Sequence, residues 1–310
     1  MPCSNPIPAV DYGYKLNKHG ERVRNIKILD MKGKYISYGI EELRERFGDS
    51  LLLLPCGHCY TCCCNYSRMW SSRIMLEAKA HQNNCFITLT YSDIFCPSKP
   101  SKRDFQLFIK RLRKELDISI RYFACGEVGE GKGSRGEKGG NPHYHAIIFG
   151  FDFPDKVELK RSSSGMIIYR SPLLEKLWPF GLSSIGTVSP ESAQYVAKYS
   201  MKKKISGDDL GEFVLMSRRP GIGINGFDPS DYDTDKLYLN GQRFKMPRYF
   251  DKLAEKNSPF NLWFAKQNRL EIAKHLTSKK YQLNLSREDE ALVQLENDRI
   301  RKDVMKVRTV

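Results

Sequence analysis

His143-Tyr144-His145, followed by the apolar run Ala146-Ile147-Ile148-Phe149, comes closest in this chain to stating a chemistry. Successive side chains of a β-strand alternate faces, so His143 and His145 point one way while Tyr144, Ala146 and Ile148 point the other. Two imidazoles on one face supply two ligands of a metal site. Arg121 to Glu127 reads as the preceding strand, with Glu127 on the face of Phe123 and Cys125. The glycine-rich, basic loop over 128–142 leads straight from that strand into the histidine strand. A hairpin of this kind brings Glu127 beside both imidazoles and makes its carboxylate the expected third ligand, with Glu130 and Glu137 in the loop as competitors. An isolated pair of histidines is more often a hydrogen-bonded strand end, so the surrounding chain has to decide.

Tyr195 and Tyr199 supply the complementary chemistry. Ser189-Pro190-Glu191 opens a helix with a capping serine, a proline at the first helical position and an acid in the first turn. Ala193, Val196, Ala197 and Ser200 form its narrow small-residue stripe, which leaves the two tyrosines off the core face, beside Lys198 and Lys202. A phenol is a poor nucleophile near neutrality because its pKa is about 10. A divalent ion that polarises a phosphodiester oxygen changes this, and a tyrosine can then attack phosphorus, displace a 3'-oxygen and leave a 5'-phosphotyrosine. Tyrosines four residues apart are helix neighbours, so each could use one metal centre in turn. Lys198 and Lys202 are candidates to steady phosphate charge or the phenolate, or to contact the nucleic-acid backbone.

A second ligand cluster lies earlier. Cys56, Cys59 and Cys62 repeat at C-x2-C-x2-C spacing, with Gly57 easing the turn, which lets thiolates converge on one Zn2+. Cys3 is the favoured fourth ligand of this structural zinc site, with His58, Cys63 and Cys64 as alternatives and an iron-sulfur cluster as the rival occupant. Gly126-x4-Gly131-Lys132 imitates a phosphate-binding loop. Gly133 follows where Ser or Thr should hold Mg2+, which argues against nucleotide hydrolysis.

The chain has 310 residues, with 51 Lys+Arg against 36 Asp+Glu and a formal charge of +15. The basic clusters are spread along its whole length, which points to a polyanionic partner: nucleic acid first, an anionic membrane second. No apolar run approaches the ~18 residues of a membrane span, and the N-terminus lacks a signal peptide's hydrophobic stretch. The expectation is a soluble, intracellular protein whose nine cysteines bind metal or sit buried instead of forming disulfides.

The elements that must position these residues follow in order. The first 50 residues show little periodicity and are expected to be extended or irregular. Tyr66 to about Ala80 reads as a basic amphipathic helix, and Phe86 to Tyr91 as a strand. Ser101, with Asp104 three residues on, caps a helix whose stripe is Phe105, Phe108, Ile109, Leu112 and Leu116. A linker is expected around 152–171, then a short helix over Leu173 to Trp178 and a strand over Ser183 to Val188. Beyond 205 a loop-rich connector precedes helices from about Pro259 and from Ser286, the latter ending in a basic run.

Together these residues resemble a known family. Phe86-Ile-Thr-Leu-Thr-Tyr91, Pro142-His-Tyr-His145 and Tyr195-Val-Ala-Lys-Tyr199 look like the three motifs, in order, of the two-tyrosine HUH endonucleases that initiate rolling-circle replication. With Cys3, Cys56-Gly-His-Cys59 and Arg121 to Glu127 added, the chain resembles more narrowly the replication initiators of the gokushoviruses, phages of the microvirus family. The resemblance covers roughly residues 1–220. It implies an α+β fold: an antiparallel sheet with flanking helices and RNA-recognition-like topology, carrying the metal on its open face, beside the cysteine-rich N-terminal extension and the helical C-terminal part. Three regions are expected: the extension with its zinc site and basic helix (1–80), a nicking and joining domain (81–205), and the connector with helices (206–310). The resemblance further implies metal-assisted nicking of single-stranded viral-sense DNA at the replication origin, with Mg2+ or Mn2+, a free 3'-OH, and rejoining to release circles. The failed phosphate-binding loop leaves strand separation to a host helicase; together with a host polymerase it is the expected partner, in the bacterial host's cytoplasm and without a membrane. One departure stands out: the middle residue, hydrophobic in the family name, is Tyr144, expected to pack into the opposite face. The rival reading is a zinc-stabilised, non-catalytic binder of single-stranded nucleic acid whose tyrosines stack on bases.

Overall fold

The computed structural model describes residues 3, 5–20, 22–29, 39–129, 140–162, 165–199, 211–229, 236–239 and 241–282. They fall into two compact units, one within 1–63 and the other within 64–284.

In the first unit, β1 (Ile7–Leu16) lies between β2 (Arg22–Ile28) and β3 (Leu51–Leu54), all antiparallel, with α1 (Ile40–Phe47) beside them. Val10, Leu29 and Leu43 form its small core, with Phe47 and Leu51 packed against it. The sequence reading expected irregular structure here. These strands are hidden from a periodicity argument because β1 is buried in succession at Pro8, Ala9 and Val10 and exposed from Tyr12 on, and β2 alternates only between exposed and partly buried residues, so neither carries a sustained in-out alternation. Helix α2 (Tyr60–Lys79) begins six residues earlier than the first residue of the expected stripe, Tyr66.

The second unit is built on a seven-stranded antiparallel sheet. Its strands in chain order are β4 (Asn84–Thr90), β5 (Arg121–Val128), β6 (Pro142–Phe149), β7 (Val157–Arg161), β8 (Ile167–Arg170), β9 (Ser183–Gly186) and β10 (Phe213–Met216), and in space they run β10-β5-β6-β4-β9-β8-β7. Helix α3 (Lys102–Leu116) connects β4 to β5, and α4 (Pro172–Leu177) precedes β9. The four central strands β5-β6-β4-β9 therefore have the RNA-recognition arrangement. Phe105, Phe108, Ile109 and Leu112 of α3 pack with Leu174, Leu177 and Trp178 against Leu89, Ala124, Tyr144 and Ile148 on one face. Helix α5 (Pro190–Tyr199) and α2 cover part of the other face, where Ala193, Val196 and Ala197 meet Phe123, Cys125 and Ile147. The hairpin β11 (Lys236–Leu239) and β12 (Gln242–Lys245), then α6 (Arg248–Asn257) and α7 (Pro259–Gln282), extend this second core.

The supposed linker contains β7 and β8, missed because every residue of β7 is exposed. Strands β10 to β12 and helix α6 were likewise not apparent in the connector, whereas a helix does start at Pro259. The helix expected from Ser286 lies outside the described residues. Among the described residues no helix is long and apolar enough to cross a membrane.

Ser101 caps α3 as its sequence suggests, its side chain accepting from the Asp104 amide at 3.2 Å. Tyr144 is fully buried on the α3 face; its hydroxyl donates to the Ser101 carbonyl at 2.9 Å and meets the Tyr91 hydroxyl at 2.6 Å. Burial pushes the Tyr144 phenol up to about 12, so this tyrosine stays neutral.

Residues 217–227 are strapped onto α2 by a buried carboxylate. Glu77 accepts from the Gly223 amide at 2.6 Å and pairs with Arg121, while Arg73 Nε donates to the Ile222 carbonyl at 3.0 Å. Gly226 lies so close to the Leu76 carbonyl that a Cβ there would sit far inside van der Waals contact with α2 backbone. Gly226→Ala is therefore expected to destabilise the second unit by about 2–4 kcal/mol, read as a lowered urea midpoint with an unchanged m-value.

Candidate active site

The β5–β6 hairpin sets Glu127 opposite His143 and Cys125 opposite His145, and β4 sets Thr88 opposite His145 and Thr90 opposite His143. Alternation then puts Glu127, His143, His145, Thr88 and Thr90 on one face. Glu127 Oε1 lies 2.8 Å from His143 Nε2 and 3.1 Å from His145 Nε2. Glu127 and His145 are buried, and His143 is partly so.

Each imidazole is oriented through its other nitrogen. His143 Nδ1 lies 2.9 Å from the Asn141 carbonyl, and His145 Nδ1 lies 3.0 Å from Thr88 Oγ1. Both Nε2 atoms are thereby turned toward the carboxylate, the outer-shell arrangement that orients metal-binding histidines. Phe86 stacks on the His145 ring at 5.7 Å and 9°, holding its plane. Two imidazole nitrogens and a carboxylate oxygen, all within 4.8 Å of one another, fit a divalent cation. Burial raises the Glu127 carboxyl pKa, but the hydrogen bonds and charges of His143 and His145 outweigh it, and the group is held below the ordinary carboxylate value.

Tyr195 stands at the edge of this cluster. Ala193, Val196 and Ala197 are buried to 0 % exposure beneath α5, which turns Tyr195 away from the core, 40 % exposed. Its hydroxyl lies 3.4 Å from His145 Nε2, and the two rings meet edge to face at 4.9 Å. Lys198 is half-buried on the last turn of α5. Tyr199 closes α5, but its side chain, Lys202, Glu130 and Glu137 lie outside the described residues. The imitation phosphate loop has its first glycine, Gly126, inside β5, packed under Phe213.

The sequence reading did not single out Thr88, Phe86 or the Asn141 carbonyl as orienting groups. Thr88 could have been found, since it alternates with Thr90 in the strand that flanks the histidines. Beside the cluster, Thr88, Thr90, Ser184, Lys160, Ile168 and Arg170 line part of a groove of about 690 Å³ that crosses the sheet toward β8.

The cysteine cluster assembles within the first unit. Cys3, Cys56, Cys59 and Cys62 place their sulfurs within 4.8 Å of one another, with Cys3 and Cys59 at 3.7 Å. The backbone amides of Cys56, Cys59 and Cys62 donate to the sulfurs of Cys3, Cys56 and Cys59 at 3.3, 3.3 and 3.5 Å. Burial raises the Cys3 thiol and pushes Cys62 up to about 12. A cation amid the four sulfurs reverses that cost by favouring the thiolates.

A family model described as replication-associated protein ORF2/G2P matches residues 84–204, the segment from β4 through α5. Replication-associated protein VP4 of Bdellovibrio phage phiMH2K is 31 % identical over 222 residues, covering 66 % of this chain and 68 % of that protein. The chain belongs to the microvirus replication initiators. Replication-associated protein ORF2 of Spiroplasma virus 4 is 29 % identical to this initiator over 300 residues, covering 88 % of this chain and 87 % of its own. Replication-associated protein ORF4 of Chlamydia phage 1 is 30 % identical over 221 residues, 66 % of this chain and 54 % of the other. No solved structure matches the initiator. Glu127, His143, His145 and Tyr195 all lie in the segment matched by the family model, whereas the four cysteines lie before it.

Proposed function

We propose that this initiator nicks single-stranded viral-sense DNA at the replication origin by tyrosine attack on a phosphodiester and later rejoins the ends. The observation that carries the reading is the Tyr195 hydroxyl, 3.4 Å from an imidazole of the three-ligand cluster. His143, His145 and Glu127 would hold Mg2+ or Mn2+, which when bound polarises a phosphate oxygen and neutralises charge growing there. Tyr195 loses its phenol proton and its oxygen bonds to phosphorus; the 3'-oxygen leaves, takes a proton and becomes a free 3'-OH. The strand's 5' end is then a phosphotyrosine. Tyr199, one turn along α5, acts in the second cleavage, and attack of a 3'-OH on the phosphotyrosine reseals a circle and frees the tyrosine. Lys198 and Lys202 steady phosphate charge. Thr88 and Phe86 position His145 and so act through it.

The groove beside Thr88 and Thr90, with Lys160 and Arg170 at its far side, supports a path for the strand across the open sheet. Cys3, Cys56, Cys59 and Cys62 are assigned a structural Zn2+: a tetrahedron with Zn–S bonds of about 2.3 Å has edges of about 3.8 Å, and the Cys3–Cys59 separation is 3.7 Å. Strand opening and synthesis fall to a host helicase and polymerase, with the bacterial cytoplasm as the site of action. The test is incubation of end-labelled single-stranded oligonucleotides tiling the phage genome with Mn2+. Cleavage confined to one site supports the reading. Intact oligonucleotides throughout, with retained binding, would instead favour a binding protein without nicking activity.

A further inference from the structure

The β1–β2 ribbon of the first unit has no part in the chemistry above. Strand β3 pairs with Ile7 to Val10, so among the described residues β1 pairs from Asp11 onward with β2 alone. Six residues of β1 at about 3.4 Å each make a two-stranded arm roughly 20 Å long, closed by the turn at Asn17 to Gly20. Such an arm ordinarily hides its apolar side chains. Here Tyr12, Tyr14 and Leu16 are 54, 58 and 70 % exposed, and Ile28, opposite Ala9 at the base of the arm, is 64 % exposed.

Cations sit over both tyrosines. The Arg22 guanidinium lies 4.2 Å from the Tyr14 ring centre, and the Lys27 ammonium lies 5.3 Å from that of Tyr12. The register places Tyr14 and Leu16 opposite Arg24 and Arg22, and Lys15 opposite Val23, so basic side chains leave both faces of the arm. Lys15, Lys18, Arg22, Arg24 and Lys27 outnumber Asp11 and Glu21, and Asp11 is already paired with Arg24. Exposed aromatic and aliphatic surface between cations fits base edges between phosphates.

We propose that this ribbon is a duplex-DNA-binding arm that enters the major groove, distinct from the single-strand site on the seven-stranded sheet. A two-stranded ribbon fits a groove about 12 Å wide and is too broad for a minor groove of about 6 Å. Cations on both faces then reach the phosphates of both walls, while Leu16, Ile26 and Ile28 offer apolar contact to thymine methyls. The proposal does not depend on tyrosine chemistry, because binding to duplex is read without any cleavage.

The experiment compares the full chain with Tyr14→Ala/Arg22→Ala/Lys27→Ala by fluorescence anisotropy on a labelled duplex and on a single strand of equal length. Removing two cations is expected to cut the slope of log affinity against log salt by about 2 on the duplex and to weaken duplex binding about tenfold or more. Single-strand affinity and oligonucleotide nicking stay as in the parent. Tyr14→Phe/Arg22→Lys keeps duplex binding. Should the triple variant alter the circular dichroism spectrum, Arg22→Gln/Lys27→Gln takes its place, with the same slope expected. Unchanged duplex affinity, an equal loss on single strands, or a changed oligomeric state, which would assign the arm to a second copy of the chain, each overturns the proposal.

Discussion

His145→Ala is expected to reduce metal-dependent nicking by about 10³-fold or more, equivalent to about 4 kcal/mol of lost transition-state stabilisation. His145 joins more of the site than any other described residue: its Nε2 lies 3.1 Å from Glu127 and 3.4 Å from the Tyr195 hydroxyl, and its ring stacks on Phe86. On the proposed mechanism, losing it removes one metal ligand and the neighbour that places the attacking tyrosine. His143→Ala should remove a ligand without disturbing Tyr195, so added Mn2+ should recover part of the rate in that variant and little in His145→Ala. Tyr144→Phe is the control between them in sequence. It loses hydrogen bonds to Tyr91 and Ser101 on the opposite face, which costs about 1–2 kcal/mol of stability. Nicking should persist. A denaturing gel and a urea titration on the three variants separate these outcomes, and a Tyr144→Phe protein that folds but does not nick would contradict the face assignment.

Cys59→Ser is expected to have the largest structural effect, the loss of ordered structure in the first unit. Among the described residues the core of that unit is centred on Val10, Leu29 and Leu43, a small cluster on which to fold alone. Structural zinc contributes about 10–16 kcal/mol of apparent binding free energy in small cysteine sites, which is folding free energy when no site exists in the unfolded chain. Zinc content should fall from about one ion per chain to near zero, and limited proteolysis should cut within the first 63 residues. Strong chelators should reproduce the pattern. Cys63→Ser should not, because Cys63 donates to the His58 carbonyl at 3.5 Å and is not one of the four clustered sulfurs. A Cys59→Ser protein with native zinc content and protease resistance would remove zinc from the account.

What the sequence exposed and what it hid divide along physical lines. The histidine strand was legible because one face is packed under α3 and the other is partly covered by α5 and α2, which leaves an apolar run and a fixed alternation around His143 and His145. Glu127 followed from the hairpin, since pairing across a loop dictates register once both strands are known. The stripe of Ala193, Val196 and Ala197 identified the buried side of α5 and, by elimination, the direction of Tyr195. Strands β1, β2 and β7 were illegible for the opposite reason: β7 is exposed throughout, β1 is buried at Pro8 to Val10 and exposed from Tyr12 on, and β2 buries no residue fully, so none carries a sustained hydrophobic period. The short β10 was hidden because four residues give no period to count, and its place depends on pairing with β5, a contact nearly 90 residues away in sequence that no local pattern encodes. The C-x2-C-x2-C spacing announced itself, and Cys3, favoured as the fourth ligand from the sequence, does join the cluster; the path of β1 and β3, which returns Cys56 to the start of the chain, is what brings it there.

The most direct measurement is a denaturing gel of the Mn2+ reaction on a single-stranded origin oligonucleotide labelled so that the fragment bearing the new 5' end is visible. Wild type, Tyr195→Phe, Tyr199→Phe and the double variant are run side by side. The account predicts a protein-linked fragment that survives either single change and disappears in the double variant. An adduct that persists in the double variant, or cleavage with no covalent intermediate in the wild type, would contradict it.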